Sequence, residues 1–220
     1  MNYFSSRRFL DTLSSPLVIL AFIGIMIFCY NFVDQYLVAL LSDLNCLEMF
    51  SVFRWITYLG REFAYLGVLF VLALIFRYIW VNPCWEARAW FLWLCVAFSD
   101  SICLVLKITF GRARPQLLMQ THEYGFYWFK MTRDYWSFPS GHTSTVMSLA
   151  FGLGVLFPKY WIAFVSTAAV VALSRVLLIQ HYISDVLLAT YLALLEVTFL
   201  VYFLRQKKWL SQALFESKNR

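Results

Sequence analysis

Apolar stretches recur along this chain, and the charged residues lie mostly between them or at the chain ends. A helix needs about 20 apolar residues to cross a bilayer. Six stretches are read as spans of that kind: Pro16–Val33, Ala64–Trp80, Ala89–Phe110, Ser140–Phe157, Tyr160–Ile179 and Ser184–Leu204. Trp80, Trp90, Trp161 and Tyr202 fall near their ends, where interfacial aromatics belong. The pattern predicts an all-α fold, a six-helix transmembrane bundle. With no internal repeat or linker, residues 1–220 read as a single domain. Arg7 and Arg8 precede the first stretch as they would a signal peptide, but no small-residue cleavage site follows, so that span is expected to be retained.

Composition agrees with a lipid environment. Hydrophobic residues make up 62% of the chain, aromatics 20% and charged residues 14%, against roughly 25% charged in an ordinary globular domain. One soluble core of this size cannot hide so much apolar surface. The net charge of +6 does not point to nucleic acid, because no basic face on a soluble domain goes with it. The five cysteines show neither a CxxC pair nor a metal spacing, and Cys46 and Cys84 are expected on opposite sides of the membrane.

Orientation follows from the basic residues. With the amino terminus inside, ten Lys and Arg fall inside and eight outside. Setting aside Lys107, Arg114 and Arg175, which belong to the motifs below, leaves ten against five. Both termini are therefore expected in the cytoplasm, with the connections after spans one, three and five outside. Asp34–Arg54 reads as an interfacial helix and Gln116–Phe138 as an aromatic loop half-sunk among head groups, after spans one and three respectively.

Three clusters of ionisable or small polar residues fall on the predicted outer side. Lys107 and Arg114, seven apart before Pro115, close the third span and would share a face if the helix persisted. Pro139-Ser140-Gly141-His142 opens the fourth, where a helix amino terminus with free N–H groups and a glycine admits an anion closely. Arg175 ends the fifth span, and His181 and Asp185 follow four residues apart, the spacing that stacks a carboxylate on an imidazole along a helix. Cations with backbone donors suit a tetrahedral oxyanion, and two histidines with different neighbours offer a nucleophile and an acid. With only one carboxylate in the set, no metal is expected. The pattern describes a phosphate pocket.

Taken in order, Lys107-x6-Arg114-Pro115, Pro139-Ser140-Gly141-His142 and Ser174-Arg175-x5-His181-x3-Asp185 resemble the three signature motifs of the type 2 phosphatidic acid phosphatases, within residues 107–185. The resemblance implies a membrane-embedded lipid phosphatase working through a phosphohistidine, without metal or cofactor. His181 would attack phosphorus, oriented by Asp185, and His142 would protonate the departing oxygen and later activate water. Lys107, Arg114, Ser140, Gly141 and Arg175 would hold the phosphate oxygens. The substrate would be a phosphorylated lipid drawn from the bilayer, and the location a bacterial cytoplasmic membrane with the site on its outer face.

Two rivals remain. A lipid phosphotransferase would use the same histidine intermediate but pass phosphate to another lipid. A small transporter or channel shares the composition, but would set its ionisable groups near mid-span along a path. Asp100 and Glu196 are read as inter-helix hydrogen-bonding groups and His122 as a solvated loop residue. Arg112, inside the first motif but outside its signature, is left as an electrostatic helper.

Overall fold

The computed structural model describes residues 11–43 and 62–206, and those residues form an all-α bundle. Helix α1 (Pro16–Asp43) starts where the Ser15 hydroxyl accepts from the Val18 N–H at 3.4 Å and Pro16 takes the first helical position, which needs no donor. A π turn at Cys29–Val33 interrupts it. Before that turn no residue of Pro16–Phe28 is buried; after it Asp34, Val38 and Leu41 form a buried stripe. One wider turn adds a residue and rotates the second half of the helix toward the bundle.

Helix α2 (Glu62–Tyr78) packs against α3 (Pro83–Phe110). The latter begins at an Asn82 side-chain cap on the Trp85 N–H (3.2 Å) and stops at Gly111. Gly111 takes φ 54°, and its N–H closes on the Lys107 carbonyl at 3.0 Å, a helix stop that favours a residue without Cβ. A short helix α4 (Pro115–Thr121) and a loop with one backbone bridge, Arg112 to Phe126, lead to α5 (Gly141–Leu156). Helices α6 (Trp161–Leu177) and α7 (Ile183–Gln206) complete the described chain.

Helix α5 is the axis of the bundle, packed against α3, α6 and α7. Its inward residues Val146, Met147, Ala150 and Phe151 meet Phe91 and Cys95 of α3, Val171 of α6 and Val197 of α7 in one core. At Gly152 an added Cβ would lie 3.0 Å from the Leu92 side chain, so the glycine sets how closely α3 and α5 approach. Thr145 of α5 donates to Asp100 of α3 at 2.9 Å, the inter-helix bond expected of that carboxylate. Glu196 is buried on α7, and His122 is exposed.

Among the described residues four helices, not six, are long and apolar enough to cross a membrane: Pro16–Asp43, Pro83–Phe110, Pro158–Leu177 and Ile183–Gln206. The chain is a multi-pass membrane protein, but the six-span expectation is overturned. Hydropathy alone does not separate a lipid-facing run from a buried one. The fourth expected span is a helix of 16 residues, short of a bilayer, and twelve of them are buried inside the protein. The second is too short in its apolar part, Ala64–Tyr78. The first does not end at Val33, because Asp34 is paired inside the bundle and the helix runs on to Asp43 instead of lying in the interface. The expected positions of both termini, and of residues 44–54, fall outside the described residues.

Candidate active site

The end of α3, the start of α5, the end of α6 and the start of α7 meet at one end of the bundle. Two backbone-level contacts tie them together: the Ser140 N–H reaches the Asp185 carbonyl at 3.3 Å, and the Cys103 thiol reaches the Pro139 carbonyl at 3.6 Å. The sequence enforces each stop and start. Gly111 ends α3, Pro139 precedes α5, and the Arg175 carbonyl closes the turn after α6 by accepting from the Gln180 and His181 N–H groups at 2.9 and 3.2 Å.

Ser140 is fully buried at the helix cap, and its side chain caps no N–H group of α5. The first-turn donors of that helix therefore remain available for an anion. Lys107, from the last turn of α3, brings its Nζ to 2.6 Å from where a Cβ on Gly141 would stand. Glycine is what lets an ammonium lie over the first turn of the helix. Burial first, then Arg175, His181, Lys107 and Arg114, push the His142 imidazole down to about 3, so its acid form draws on the negative charge of a bound phosphate. All eight residues expected at the site thus gather here.

Two local expectations change. Lys107 and Arg114 do not share a helix face, because α3 stops at Gly111 and Arg114 caps α4. His181 and Asp185 do not stack along one helix either, since α7 begins at Ile183. They still approach, with His181 Nδ1 at 3.6 Å from Asp185 Oδ2. The closer partner of Nδ1 is the Ser137 carbonyl, at 2.8 Å. A carbonyl only accepts, so Nδ1 carries the proton and Nε2 keeps its lone pair. Burial first, then Arg114, Arg175 and Lys107, push the His181 imidazole well below its ordinary titration range, against the Ser137 hydrogen bond. At neutral pH its ring is uncharged.

Asp185 is held on every side. Its Oδ2 accepts from the Ser137 hydroxyl at 2.5 Å and from the Tyr182 N–H at 2.9 Å. Its Oδ1 takes Arg112 Nη1 at 2.5 Å. Arg112 also donates through Nη2 to Asp34 at 2.7 Å and to the Tyr124 hydroxyl at 3.2 Å. Its guanidinium lies 4.3 Å from the Tyr182 ring centroid and 5.2 Å from that of Tyr30. Burial alone would lower the Arg112 pKa; Asp185 and Asp34 together hold it above its ordinary value.

Sequence reasoning passed over Asp34 and Ser137 and left Arg112 without a partner. One signal was present. A third basic residue in a membrane-edge motif needs an acid once it is buried, and Asp34 stands at the end of the first apolar run.

Among the described residues, no group of three or more His, Cys, Asp and Glu side chains comes together as a metal site would require. Both Asp185 oxygens are already engaged, by Arg112 on one side and Ser137 and Tyr182 on the other.

The chain is 37% identical over 100 residues to proteins named lipid A 1-phosphatase from Rhizobium johnstonii and Rhizobium etli. These matches cover 44% of this chain and 40% and 42% of the relatives, so the chain spans about two fifths of their length. A solved structure described as a transmembrane PAP2 type phosphatidylglycerolphosphate phosphatase from Bacillus subtilis aligns over 90% of both chains, with 23% identity and a TM-score of 0.49. The family model of the PAP2 superfamily matches residues 88–209. Because that match takes in more than half of the chain, and every motif residue from Lys107 to Asp185 falls inside it, the chain belongs to the PAP2 superfamily.

Proposed function

We propose that this protein is a membrane lipid phosphatase that transfers phosphate from a lipid head group to His181 and then to water. The observation that carries the reading is the fixed tautomer of His181: the Ser137 carbonyl holds Nδ1–H, so the lone pair of Nε2 is free among Lys107, Arg114 and Arg175. The three cations and the first-turn donors of α5 stabilise charge on the nonbridging oxygens as it builds. Nε2 bonds to phosphorus while the bond to the leaving oxygen breaks. His142 gives that oxygen a proton, and the head group departs as an alcohol or a shortened phosphate. The imidazole is now cationic, and Asp185 and the Ser137 carbonyl support its Nδ1–H. His142 then takes a proton from water, which attacks phosphorus and restores His181 with release of inorganic phosphate.

The test is phosphate release by the purified protein without acceptor lipid, across lipid A, phosphatidic acid, phosphatidylglycerol phosphate and a polyprenyl pyrophosphate. Lipid A is tried first, because it stands in the names of the relatives above. Release from at least one substrate is expected. Turnover only when a second lipid is added as acceptor would assign a phosphotransferase instead. Activity should also survive EDTA, because fixed cations do the work that a divalent ion does elsewhere; loss on chelation with recovery in magnesium would contradict the mechanism.

The site faces away from the cytoplasm in this reading. Arg77, Arg88 and Lys159 lie at the other ends of these helices, which is where the cytoplasmic side gathers basic residues. In a background keeping only the cysteine tested, Met131→Cys should react with an impermeant thiol reagent added outside intact cells, and Cys84 should not. The reverse pattern would put the site in the cytoplasm.

A further inference from the structure

We infer that Asp34 is a positioning residue for phosphoryl transfer: it holds one edge of the Arg112 guanidinium and leaves Asp185 with the carboxylate charge that supports His181. This rests on the phosphatase reading above.

Asp34 lies in α1, outside all three motifs and outside residues 88–209 that the family model matches. It is nevertheless 1% exposed and bound from three directions. Arg112 Nη2 donates to its Oδ2 at 2.7 Å, the Ser184 hydroxyl donates to the same oxygen, and the Ser184 N–H donates to Oδ1 at 3.2 Å. Ser184 is the neighbour of Asp185, so Asp34 fixes both the cation facing that carboxylate and the backbone that carries it. The π turn at Cys29–Val33 brings Asp34 inward from a helix whose earlier half buries nothing.

The charges make the case. Two carboxylates share one guanidinium, so with both ionised the group of Asp34, Arg112 and Asp185 carries a net single negative charge. The neighbours facing His181 are otherwise cations or a histidine: Lys107 from α3, Arg114 from α4, His142 from α5 and Arg175 from α6. When His181 becomes a cationic phosphohistidine, that single negative charge is what answers it. With Asp34 neutral, Arg112 cancels Asp185, and the imidazole gains its charge among cations alone.

The experiment compares wild type, Asp34→Asn and Asp34→Glu in purified form, measuring kcat, KM and the acid limb of the pH–rate profile. Asp34→Asn should lower kcat about 10–100-fold, the scale on which supporting groups behind a reactive side chain act. KM should stay within about threefold, because phosphate contacts are untouched. Removing a negative charge makes His181 harder to protonate, so the acid limb should move to lower pH by about one unit. Asp34→Glu keeps the charge and should keep the wild-type limb. A merely structural Asp34 would lower the folded yield and leave the limb in place. An Asn variant with wild-type kcat, or with an unmoved limb, overturns the inference. If Asp34→Asn does not fold, Asp34→Ser, which also removes the charge, is read in its place: a limb moved to lower pH supports the assignment and an unmoved one overturns it. Wild-type protein that releases no phosphate from any lipid removes the phosphatase reading and this inference together, whereas active wild type with an indifferent Asp34→Asn removes only the inference.

Discussion

His181→Ala should form no phosphoenzyme with any substrate. Among the described residues, the Ser137 carbonyl fixes a ring proton for His181 alone, leaving the far nitrogen its lone pair. His142→Ala should behave differently. A lipid alkoxide is a poor leaving group and needs a proton, and general acid catalysis contributes about 10²–10⁴-fold. With a leaving group such as a nitrophenolate, which departs as a stable anion, the His142 variant should regain much of its rate and the His181 variant none. Rapid-quench trapping of labelled phosphoenzyme, run with both substrates, checks the pair. Rescue of His181→Ala by the activated substrate would reverse the two roles. Equal loss in both variants on both substrates would remove the division of labour.

Arg112→Ala should cost more stability than any substitution at the phosphate-binding residues. It leaves Asp34 and Asp185 buried with no cation between them, and breaking a buried pair from one side typically costs about 3–5 kcal/mol. Asp185→Asn should cost less, because the guanidinium keeps Asp34 and the amide still offers an oxygen to it. Arg112→Lys should fall between, since an ammonium cannot span two carboxylates in the plane that a guanidinium fork uses. Thermal unfolding of each variant in the same detergent ranks them. An Arg112→Ala protein as stable as wild type would mean that the buried carboxylates find protons or water at no cost.

The residues of the three motifs were legible because chemistry restricts them. A glycine at a helix start, cations near it and paired histidines stand out against an apolar background, and the structure gathers them at one end of the bundle. The span count was not legible. Hydropathy over residues 140–157 looks the same whether lipid or protein surrounds the helix, and protein surrounds it here. Asp34 was read as the start of an interfacial helix, because a carboxylate beside an apolar run suggests the membrane surface. Its partner lies 78 residues further on, a separation that no local pattern reveals. Ser137 escaped notice for a different reason: it acts on His181 through its carbonyl, and every residue has one.

The hydrogen bonds between Ser184 and Asp34 join residues 150 positions apart, and this sets an order on biosynthesis. The chain is made from its amino end, so α1 emerges long before Arg112 and longer before Ser184. Until Arg112 follows, the Asp34 carboxylate has no cation, and an unpaired carboxylate is costly inside hydrocarbon. That end of the first helix must therefore stay in contact with water or head groups while α2 and α3 are inserted. Only when α7 enters does Ser184 reach Asp34 and Asp185 reach Arg112. The catalytic geometry closes with the insertion of α7, so a chain inserted only as far as α6 has no working site to act on the lipids around it.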